Sequence, residues 1–268
     1  MRVSFQGEAG AYSEEALRTF FPDVDVLPCA TFGEALTAVA DGQADRAVLP
    51  VENSQAGSIT ETYDLMLQHQ LWAVGEIELR VRHCLLALPG TALASLRTAH
   101  SHPQALAQTA EYLARNRLEP VAERDTAGSA RMIAERKLAG AAAVASRTAA
   151  TRYGLEVLAE GIETNPDNRT RFLVLAREPV VPHTAPRTSL ALALKNEAGA
   201  LLAVLKPFAD AGINITKLES RPSRRGSWEY VFYLDVDGHH LEPPLWPALE
   251  AAAKHCQWLR VLGSYTKA

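Results

Sequence analysis

The sequence changes character at residues 178–187, and this change constrains the fold more than any other feature. The segment holds three prolines, which lack a backbone N–H donor and interrupt helices and sheets. Strand-like and helix-like stretches alternate before it, and a different order of elements follows it. A chain of 268 residues is long enough to form more than one hydrophobic core. We therefore predict two domains, residues 1–178 and residues 187–265, joined by a linker.

The first domain shows alternating strand and helix patterns. Short apolar runs bounded by turn residues predict strands at 3–5, 47–50, 85–88, 98–101 and 142–145. Longer stretches with helical periodicity predict helices at 13–20, 103–115 and 128–137. Strands that alternate with helices are typical of parallel sheets covered by helices. The domain is therefore predicted to be α/β with parallel sheets.

The second domain has another order of elements. The pattern predicts strands at 189–194, 213–218, 230–236 and 259–262, and helices at 201–211 and 246–254. Gly212 can end the first of these helices in a left-handed conformation. The order βαββαβ is typical of a ferredoxin-like fold, in which the helices cover one face of the sheet. The uncovered face and the edge strands favour pairing with a second copy of the chain.

Charge and apolar pattern exclude several classes of protein. A formal net charge of -4 gives no general basic field for nucleic acid. No run approaches the roughly eighteen apolar residues that cross a bilayer, and the N-terminus lacks the pattern of an export signal. Cys29, Cys84 and Cys256 form an odd, widely spaced set that suits a reducing compartment. We predict a cytoplasmic protein that binds neither nucleic acid nor membrane.

No sequence pattern predicts a metal or a cofactor. The cysteines and the scattered histidines lack the spacing of zinc ligands. The turn at residues 7–10 is not a Walker loop, because no Gly-Lys-Ser/Thr follows it, and the dinucleotide fingerprint is absent. Any chemistry in this chain is therefore expected to come from its own side chains.

Thr170 and Arg171 stand at a junction between a loop and a strand. The polar segment 165–169 precedes them and the apolar run 173–175 follows them. A sheet fixes side chains at such a junction, and they can still face a cleft. The same pattern also fits an ordinary strand entry with a solvated arginine, so both interpretations stay open from the residues alone.

Other polar residues lie where predicted strands end and helices begin. Asn53 and Ser54 follow the second predicted strand, where backbone N–H groups and these side chains can hold a carboxylate. Ser101 and Gln104 flank a proline that suits the first turn of a helix. Ser129 lies in a small-residue turn that enters another helix. Each is also explained as a turn or a helix cap, so only their combination favours a ligand site.

In combination, these motifs resemble those of prephenate dehydratases. The triplet Thr170-Arg171-Phe172 is similar to the signature of that family. Residues 5–13, 50–57 and 101–106 resemble family segments that occur in the same order. The joint occurrence of these segments is far more specific than any one of them.

The resemblance implies a fold, an activity and a set of site residues. The implied fold is a two-lobed catalytic domain like that of a periplasmic binding protein, with the active site between the lobes. The implied reaction is the decarboxylating dehydration of prephenate to phenylpyruvate in L-phenylalanine biosynthesis, which needs no cofactor. Thr170 is the predicted catalytic residue, and Arg171 is predicted to hold a substrate carboxylate. Further predicted substrate-binding residues are Asn53, Ser54, Ser101, Gln104 and Ser129.

The second domain resembles the ACT domain attached to these enzymes. Residues 195–201 and 219–222 are similar to its two effector-loop motifs, although Ala198 stands where the family often has proline. The resemblance implies feedback regulation by L-phenylalanine bound between two subunits of a homodimer or homotetramer. The predicted effector-binding residues are Asn196, Gly199, Ala200, Leu201, Asn214, Glu219 and Ser220.

Two alternatives stay open at this point. A two-lobed architecture also suits a non-catalytic sensor of a small carboxylate, against which the intact Thr170 triplet and the missing export signal count. The sequence also does not exclude an enzyme that carries out the same chemistry and prefers arogenate to prephenate.

Overall fold

The computed structural model describes residues 1–182, 184, 186–195, 197–222 and 230–268. These residues form two compact units. The first unit comprises Met1–Thr62 and Glu78–Phe172, and the second comprises Tyr63–Ile77 and Leu173–Ala268. A short segment from the N-terminal half of the chain thus folds with the C-terminal residues.

The regular elements within the described residues are numbered in chain order. The strands are Arg2–Gln6 (β1), Asp25–Cys29 (β2), Arg46–Asn53 (β3), Gly57–Ser58 (β4), Trp72–Arg80 (β5), Cys84–Ala87 (β6), Thr98–Ser101 (β7), Glu119–Ala122 (β8), Ala141–Ala145 (β9), Glu156–Glu160 (β10), Arg169–Ala176 (β11), Pro186–Leu194 (β12), Ile215–Pro222 (β13), Tyr230–Asp237 (β14) and Cys256–Thr266 (β15). The helices are Tyr12–Phe20 (α1), Phe32–Ala40 (α2), Thr60–His69 (α3), Pro103–Gln108 (α4), Ala110–Arg115 (α5), Thr126–Arg136 (α6), Arg147–Tyr153 (α7), Ala200–Asp210 (α8) and Leu245–Ala253 (α9). Leu93–Ser95 forms a single 3₁₀ turn.

The first sheet has the strand order β2-β1-β3-β11-β5, and the short β4 pairs with β3. β1 runs parallel to β2 and β3. Val3 and Phe5 in β1 are fully buried, and β1 contacts both α1 and α2. The one polar residue between them, Ser4, is also buried and donates to the carbonyl of Ala35 at 2.8 Å. The strand predicted at 3–5 is therefore present as β1, and helices pack on its sheet as the α/β pattern predicts.

The second sheet has the order β10-β6-β9-β7-β8. β7 runs parallel to β8 and β9, but β6 runs antiparallel to both β9 and β10. The prediction of parallel sheets is thus wrong for β6. β6 enters this sheet directly from β5, a strand of the other sheet, through residues 81–83. The Ala-rich β9 is buried throughout, because helices cover both of its faces.

The predicted helix at 103–115 is two helices, α4 and α5, that meet at Thr109. The buried hydroxyl of Thr109 donates to the carbonyl of Ala105 at 2.8 Å. A threonine that bonds to its own helix in this way competes with the backbone and bends the helix. α4 is therefore a separate short helix that carries Gln104 and Gln108.

The C-terminal residues form a sheet with the order β13-β14-β12-β15. Leu190, Leu192 and Leu234 project from one face of this sheet and pack with Val204 and Phe208 of α8. α9 packs against the same face and completes the buried core. This order and this one-sided helix layer confirm the predicted ferredoxin-like fold.

The opposite face of this sheet is covered by residues 63–77. Tyr63 stacks on Tyr233, with ring centroids 5.0 Å apart. The Tyr233 hydroxyl donates to Asp64 Oδ1 at 2.6 Å, and Arg221 Nη1 lies 3.0 Å from Asp64 Oδ2. The prediction that this face of the sheet is uncovered is therefore wrong, because residues 63–77 of the same chain cover it.

A buried ion pair fixes the other end of this cover. Arg187 Nη1 donates to both carboxylate oxygens of Glu76, at 2.9 Å and 2.6 Å. The Glu76 side chain is only 6% exposed, and that of Arg187 is 16% exposed. Loss of one partner of a buried pair leaves an uncompensated charge and strongly destabilises the fold. The ion pair therefore fixes where residues 63–77 lie on the sheet.

Gly263 tests how closely the cover packs. A Cβ atom at this position would lie 2.1 Å from the Ala73 carbonyl oxygen and 2.8 Å from its nitrogen, and φ is +152°. Because backbone atoms cannot move aside cheaply, we expect Gly263→Ala to lower the free energy of unfolding by about 3 kcal/mol. Denaturant unfolding followed by tryptophan fluorescence measures this, since all four tryptophans lie in the segments of the second unit.

Gly212→Ala is the matched control. Gly212 has φ +68° and open space where a Cβ would stand, so only the left-handed backbone is strained. That strain costs about 1–2 kcal/mol. Equal losses in the two variants would show that the contact with Ala73 is not as close as described.

Candidate active site

A cavity of about 370 Å³ lies in the first unit, between its two sheets. It opens where β1 and β3 of the first sheet and β7 and β8 of the second sheet end. Its volume falls in the range of roughly 300–1,000 Å³ that holds small molecules in proteins. The polar and charged lining residues are Gln6, Tyr12, Ser13, Asn53, His83, His102, Gln104, Gln108, Arg124, Asp125, Thr126 and Thr170.

Asn53 holds the hydroxyl of Thr170 in one orientation. The backbone N–H groups of Gln55 and Ala56 donate to Asn53 Oδ1, at 3.1 Å and 2.9 Å. Because backbone N–H groups can only donate, the amide oxygen of Asn53 must face them and its Nδ2 must face Thr170. Nδ2 lies 2.9 Å from Thr170 Oγ1, which therefore accepts. The Thr170 hydroxyl donates to no acceptor within the described part of the chain, so its proton is available to the cavity.

The same amide begins a chain of hydrogen bonds along the cavity wall. Asn53 Nδ2 also donates to Asn168 Oδ1 at 2.9 Å, and Asn168 Nδ2 donates to Gln108 Oε1 at 3.0 Å. His83 Nε2 lies 2.9 Å from the same Gln108 oxygen, and His83 Nδ1 lies 2.8 Å from the Tyr12 hydroxyl. Five polar side chains thus connect to Thr170 without a gap.

Burial favours the neutral forms of the last two members of this chain, His83 and Tyr12. Desolvation lowers the pKa of His83, although its bond to Gln108 and the charge of Glu163 oppose the shift. Desolvation also raises the pKa of Tyr12 well above its usual value, and nearby Cys84 and Glu15 add to the rise. Neutral imidazole and phenol groups therefore line this wall.

Positive potential comes from two other features of the wall. Arg124 is exposed and donates to the Ala30 carbonyl at 3.3 Å. α1 begins at Tyr12 and has no side-chain cap, so the N–H groups of its first turn, beside Ser13, are open to a ligand. An anionic molecule can therefore be held in the cavity.

The structure brings Thr170, Asn53 and Gln104 together in the cavity, but not Arg171. Successive residues of a strand face opposite sides, so Thr170 and Phe172 line the cavity and Arg171 faces away. Its Nε lies 3.6 Å from Glu52 Oε2 on the neighbouring strand. That Arg171 holds a substrate carboxylate stays a prediction, and in this structure its guanidinium lies beside Glu52.

The three predicted serines are also outside the cavity lining. Ser54 Oγ donates to the Asp167 carbonyl at 3.0 Å and accepts from the Arg169 N–H at 3.0 Å. Ser101 Oγ is fully buried and donates to the Val144 carbonyl at 2.6 Å. Ser129 Oγ donates to the Asp125 carbonyl at 2.7 Å. Each hydroxyl bonds to a backbone group near the cavity, and a role of these serines in binding substrate stays a prediction.

Sequence reasoning missed His83, Gln108 and Arg124. Gln108 follows Gln104 by four residues on a helix, a spacing that places both side chains on one face, so this signal was present. His83 stands alone next to an apolar strand, where a histidine is more often part of the core. Arg124 follows a short strand that the pattern did not reveal.

The predicted effector residues lie in the second unit, apart from Asn196, which is outside the described residues. Gly199 has φ +84° and begins α8, followed by Ala200 and Leu201. Asn214 lies beyond the other end of α8 and precedes β13. Glu219 and Ser220 lie on β13, where Glu219 Oε2 is 3.4 Å from Lys217 Nζ.

Two further searches concern metals and membranes. Among the described residues, no group of three or more His, Cys, Asp or Glu side chains is placed to hold a metal ion. In the same part of the chain, no helix is long and apolar enough to cross a membrane.

Fold and cavity define a two-lobed α/β protein with a polar small-molecule site, followed by a ferredoxin-like domain. Two family models match the chain. The model for prephenate dehydratase matches residues 3–180, and the model for the ACT domain matches residues 188–253. The chain therefore belongs to the prephenate dehydratase family, and it is a carbon–oxygen lyase with a C-terminal ACT domain.

Individual relatives are similar to this chain over nearly its whole length. Arogenate dehydratase/prephenate dehydratase 2 of Arabidopsis thaliana is 45% identical over 276 residues, which cover 99% of this chain and 72% of the relative. The prephenate dehydratase of Arthrobacter aurescens in complex with L-Phe has a TM-score of 0.91 and 32% identity, covering 99% and 90% of the two chains. GqqA, a novel type of quorum quenching acylase, has a TM-score of 0.94 and 39% identity, covering 100% and 98%.

The placement of Arg171 leads to a kinetic prediction. If its guanidinium serves Glu52 and not the substrate, Arg171→Lys should change KM by less than about threefold, since lysine keeps the charge. Steady-state kinetics with prephenate and with arogenate measures this. A rise of tenfold or more in KM, which corresponds to about 1.4 kcal/mol of binding free energy, would show that Arg171 binds the substrate.

Proposed function

We propose that this enzyme converts prephenate to phenylpyruvate, carbon dioxide and water in L-phenylalanine biosynthesis. The observation that carries the proposal is the Thr170 hydroxyl, which accepts a hydrogen bond from Asn53 and keeps its own proton for the cavity. The reaction needs a hydrogen-bond donor of this kind at the leaving hydroxyl of the substrate.

The chemistry requires little else from the protein. The bond between the ring and its carboxylate breaks, and its electron pair moves through the ring and expels the para hydroxyl. The ring becomes aromatic, so no cofactor has to accept the electrons. The leaving oxygen departs as water once it has gained a proton, and a donor that is stronger in the transition state lowers the barrier. Thr170 fits this role as a hydrogen-bond donor or as a relay for a proton.

The cavity also supplies groups for the two carboxylates of prephenate. Arg124, the open first turn of α1 and the amides of Gln104 and Gln108 provide donors on the walls around Thr170. Charge-assisted hydrogen bonds of carboxylates to such donors are short and strong. The proposed binding residues are therefore Asn53, Gln104, Gln108 and Arg124, with Ser54, Ser101 and Ser129 as supports of the wall.

Thr170→Ala tests the catalytic role. Loss of a positioned proton-transfer group lowers kcat by about two to four orders of magnitude, and we expect KM to change little, because the bond forms mainly in the transition state. Thr170→Ser keeps the hydroxyl and should retain part of the activity. Near wild-type turnover by the alanine variant would remove Thr170 from the mechanism.

Arogenate is the second candidate substrate, because the Arabidopsis relative carries both activities in its name. Arogenate has an amino group where prephenate has a keto oxygen, and both carry the same ring. An assay of the purified protein with each substrate decides between them. Turnover of neither, with hydrolysis of an N-acyl amide, would favour the acylase activity named for GqqA.

Regulation by L-phenylalanine is part of the proposal. The relative from Arthrobacter aurescens was solved with L-Phe, and this chain has an ACT domain. Gly199 and Asn214 lie at opposite ends of α8, whose 11 residues span about 16 Å, too far for one amino acid to contact both. We therefore place phenylalanine between two subunits, with Gly199 from one and Asn214 from the other.

The strand directions support the same arrangement. β12 and β13 both run antiparallel to β14, so Glu219 and Ser220 lie toward the Gly199 end of the domain. β13 is an edge of its sheet and can pair with β13 of a second copy. The proposed assembly is a homodimer or homotetramer, located in the cytoplasm, where its three free cysteines stay reduced.

Mixed dimers test whether the effector site is shared. Gly199→Ala adds a Cβ where nothing of the same chain lies within 4 Å, and Asn214→Ala removes a polar group, so each variant alone should lose phenylalanine binding. In a mixed dimer, one site carries both changes and the other carries none. Calorimetry with L-phenylalanine should then find one intact site per mixed dimer.

A site within one subunit predicts another result. Each site of the mixed dimer would then carry one change, and co-expression would restore no binding. The control is wild type co-expressed with Asn214→Ala, which retains one intact site per mixed dimer under either arrangement.

A further inference from the structure

His83 lies between Gln108 and Tyr12 in the hydrogen-bond chain and is almost completely buried, with 2% of its surface exposed. Its ring meets that of Tyr12 edge to face, with centroids 5.5 Å apart and planes at 85°. Both ring nitrogens have partners, at 2.8 Å and 2.9 Å. The imidazole is therefore held in place on three sides.

The direction of every bond in the chain follows from two backbone N–H groups. Gln55 and Ala56 fix Asn53, whose Nδ2 fixes Asn168 with its oxygen toward Asn53 and its nitrogen toward Gln108. The oxygen of Gln108 must therefore face Asn168. Since His83 Nε2 meets that same oxygen, Nε2 carries the proton and Nδ1 accepts from Tyr12.

Gln108 presents its other amide atom to the cavity as a result. Its Oε1 accepts from both Asn168 and His83. Its Nε2 donates to no acceptor among the described residues, and Gln108 is part of the cavity lining. The described residues thus leave its two N–H donors unused, and these donors are available to a ligand in the cavity that Gln108 lines.

We propose that His83 is a positioning residue, which holds Gln108 so that its amide nitrogen, and not its oxygen, faces a substrate carboxylate. This inference rests on the proposed function. If His83 were removed, Gln108 would keep only one of its two donors and could turn over. An amide oxygen would then face the carboxylate and repel it. The effect should fall on substrate binding more than on the chemical step at Thr170.

Three variants of the full-length protein test the proposal. His83→Phe keeps a ring but removes the donor, and kcat/KM should fall about tenfold to a hundredfold, the loss expected for one buried hydrogen bond, mostly through KM. His83→Gln restores an N–H near the position of Nε2 and should recover most of the loss. His239→Phe is the matched control, because His239 is also buried but lies in the second unit, and kcat/KM should stay within twofold.

The kinetics use whichever of prephenate and arogenate the wild type turns over. Equal impairment of His83→Phe and His83→Gln, or a loss confined to kcat, would overturn the proposal. If the wild type turns over neither substrate, the proposed function is wrong, and this result is distinct from a failure of the proposal about His83.

A measurement on the wild type covers the case in which the variants do not fold. Nitrogen-15 NMR of labelled histidine should show the proton of His83 on Nε2. A proton on Nδ1 would reverse the direction of the chain and overturn the proposal, whatever the kinetics.

Discussion

Two backbone N–H groups, those of Gln55 and Ala56, determine the polarity of the whole active-site wall. They fix the oxygen of Asn53, and every later donor and acceptor follows from that choice. The consequence at Thr170 is a hydroxyl that accepts from Asn53 and donates to the cavity. Because backbone N–H groups fix these side-chain amides in advance, the amides need not reorient when the substrate binds. Preorganised hydrogen-bond donors of this kind are the main source of electrostatic catalysis.

The second unit depends on a different constraint, the segment 63–77. It supplies Asp64 to Tyr233 and Arg221, and Glu76 to Arg187. Arg221 belongs to the effector-loop motif 219–222, so this motif is anchored to residues that come from the N-terminal half of the chain. α3 runs from Thr60 to His69, and Thr62 near its start donates to the Pro50 carbonyl at 2.7 Å, three residues before Asn53. α3 therefore begins beside the strand that carries Asn53.

Sequence patterns predicted the strands and helices that depend mainly on residues close together in the chain. The strand Thr98–Ser101 and the βαββαβ order follow from apolar periodicity and turn residues. Polar residues at the ends of strands indicated Asn53 and Thr170 only as candidates, and the family resemblance supplied their predicted roles. The role of residues 63–77 could not be predicted, because their partners lie more than a hundred positions away, as Glu76 and Arg187 do. The direction of the Arg171 side chain depends on the two-residue alternation of β11, which a similarity to a sequence motif does not give. His83 has no distinguishing local signal, since only the fold brings Gln108 to it.

Neutron diffraction from a deuterated crystal tests the central claim most directly, because it locates the protons that set the polarity of the wall. We expect the Asn53 amide deuterons toward Thr170 and Asn168, the His83 deuteron on Nε2, and the Thr170 hydroxyl deuteron directed into the cavity. A Thr170 deuteron directed at Asn53, with the Asn53 amide turned over, would contradict the claim that Thr170 is held as a donor for the leaving hydroxyl.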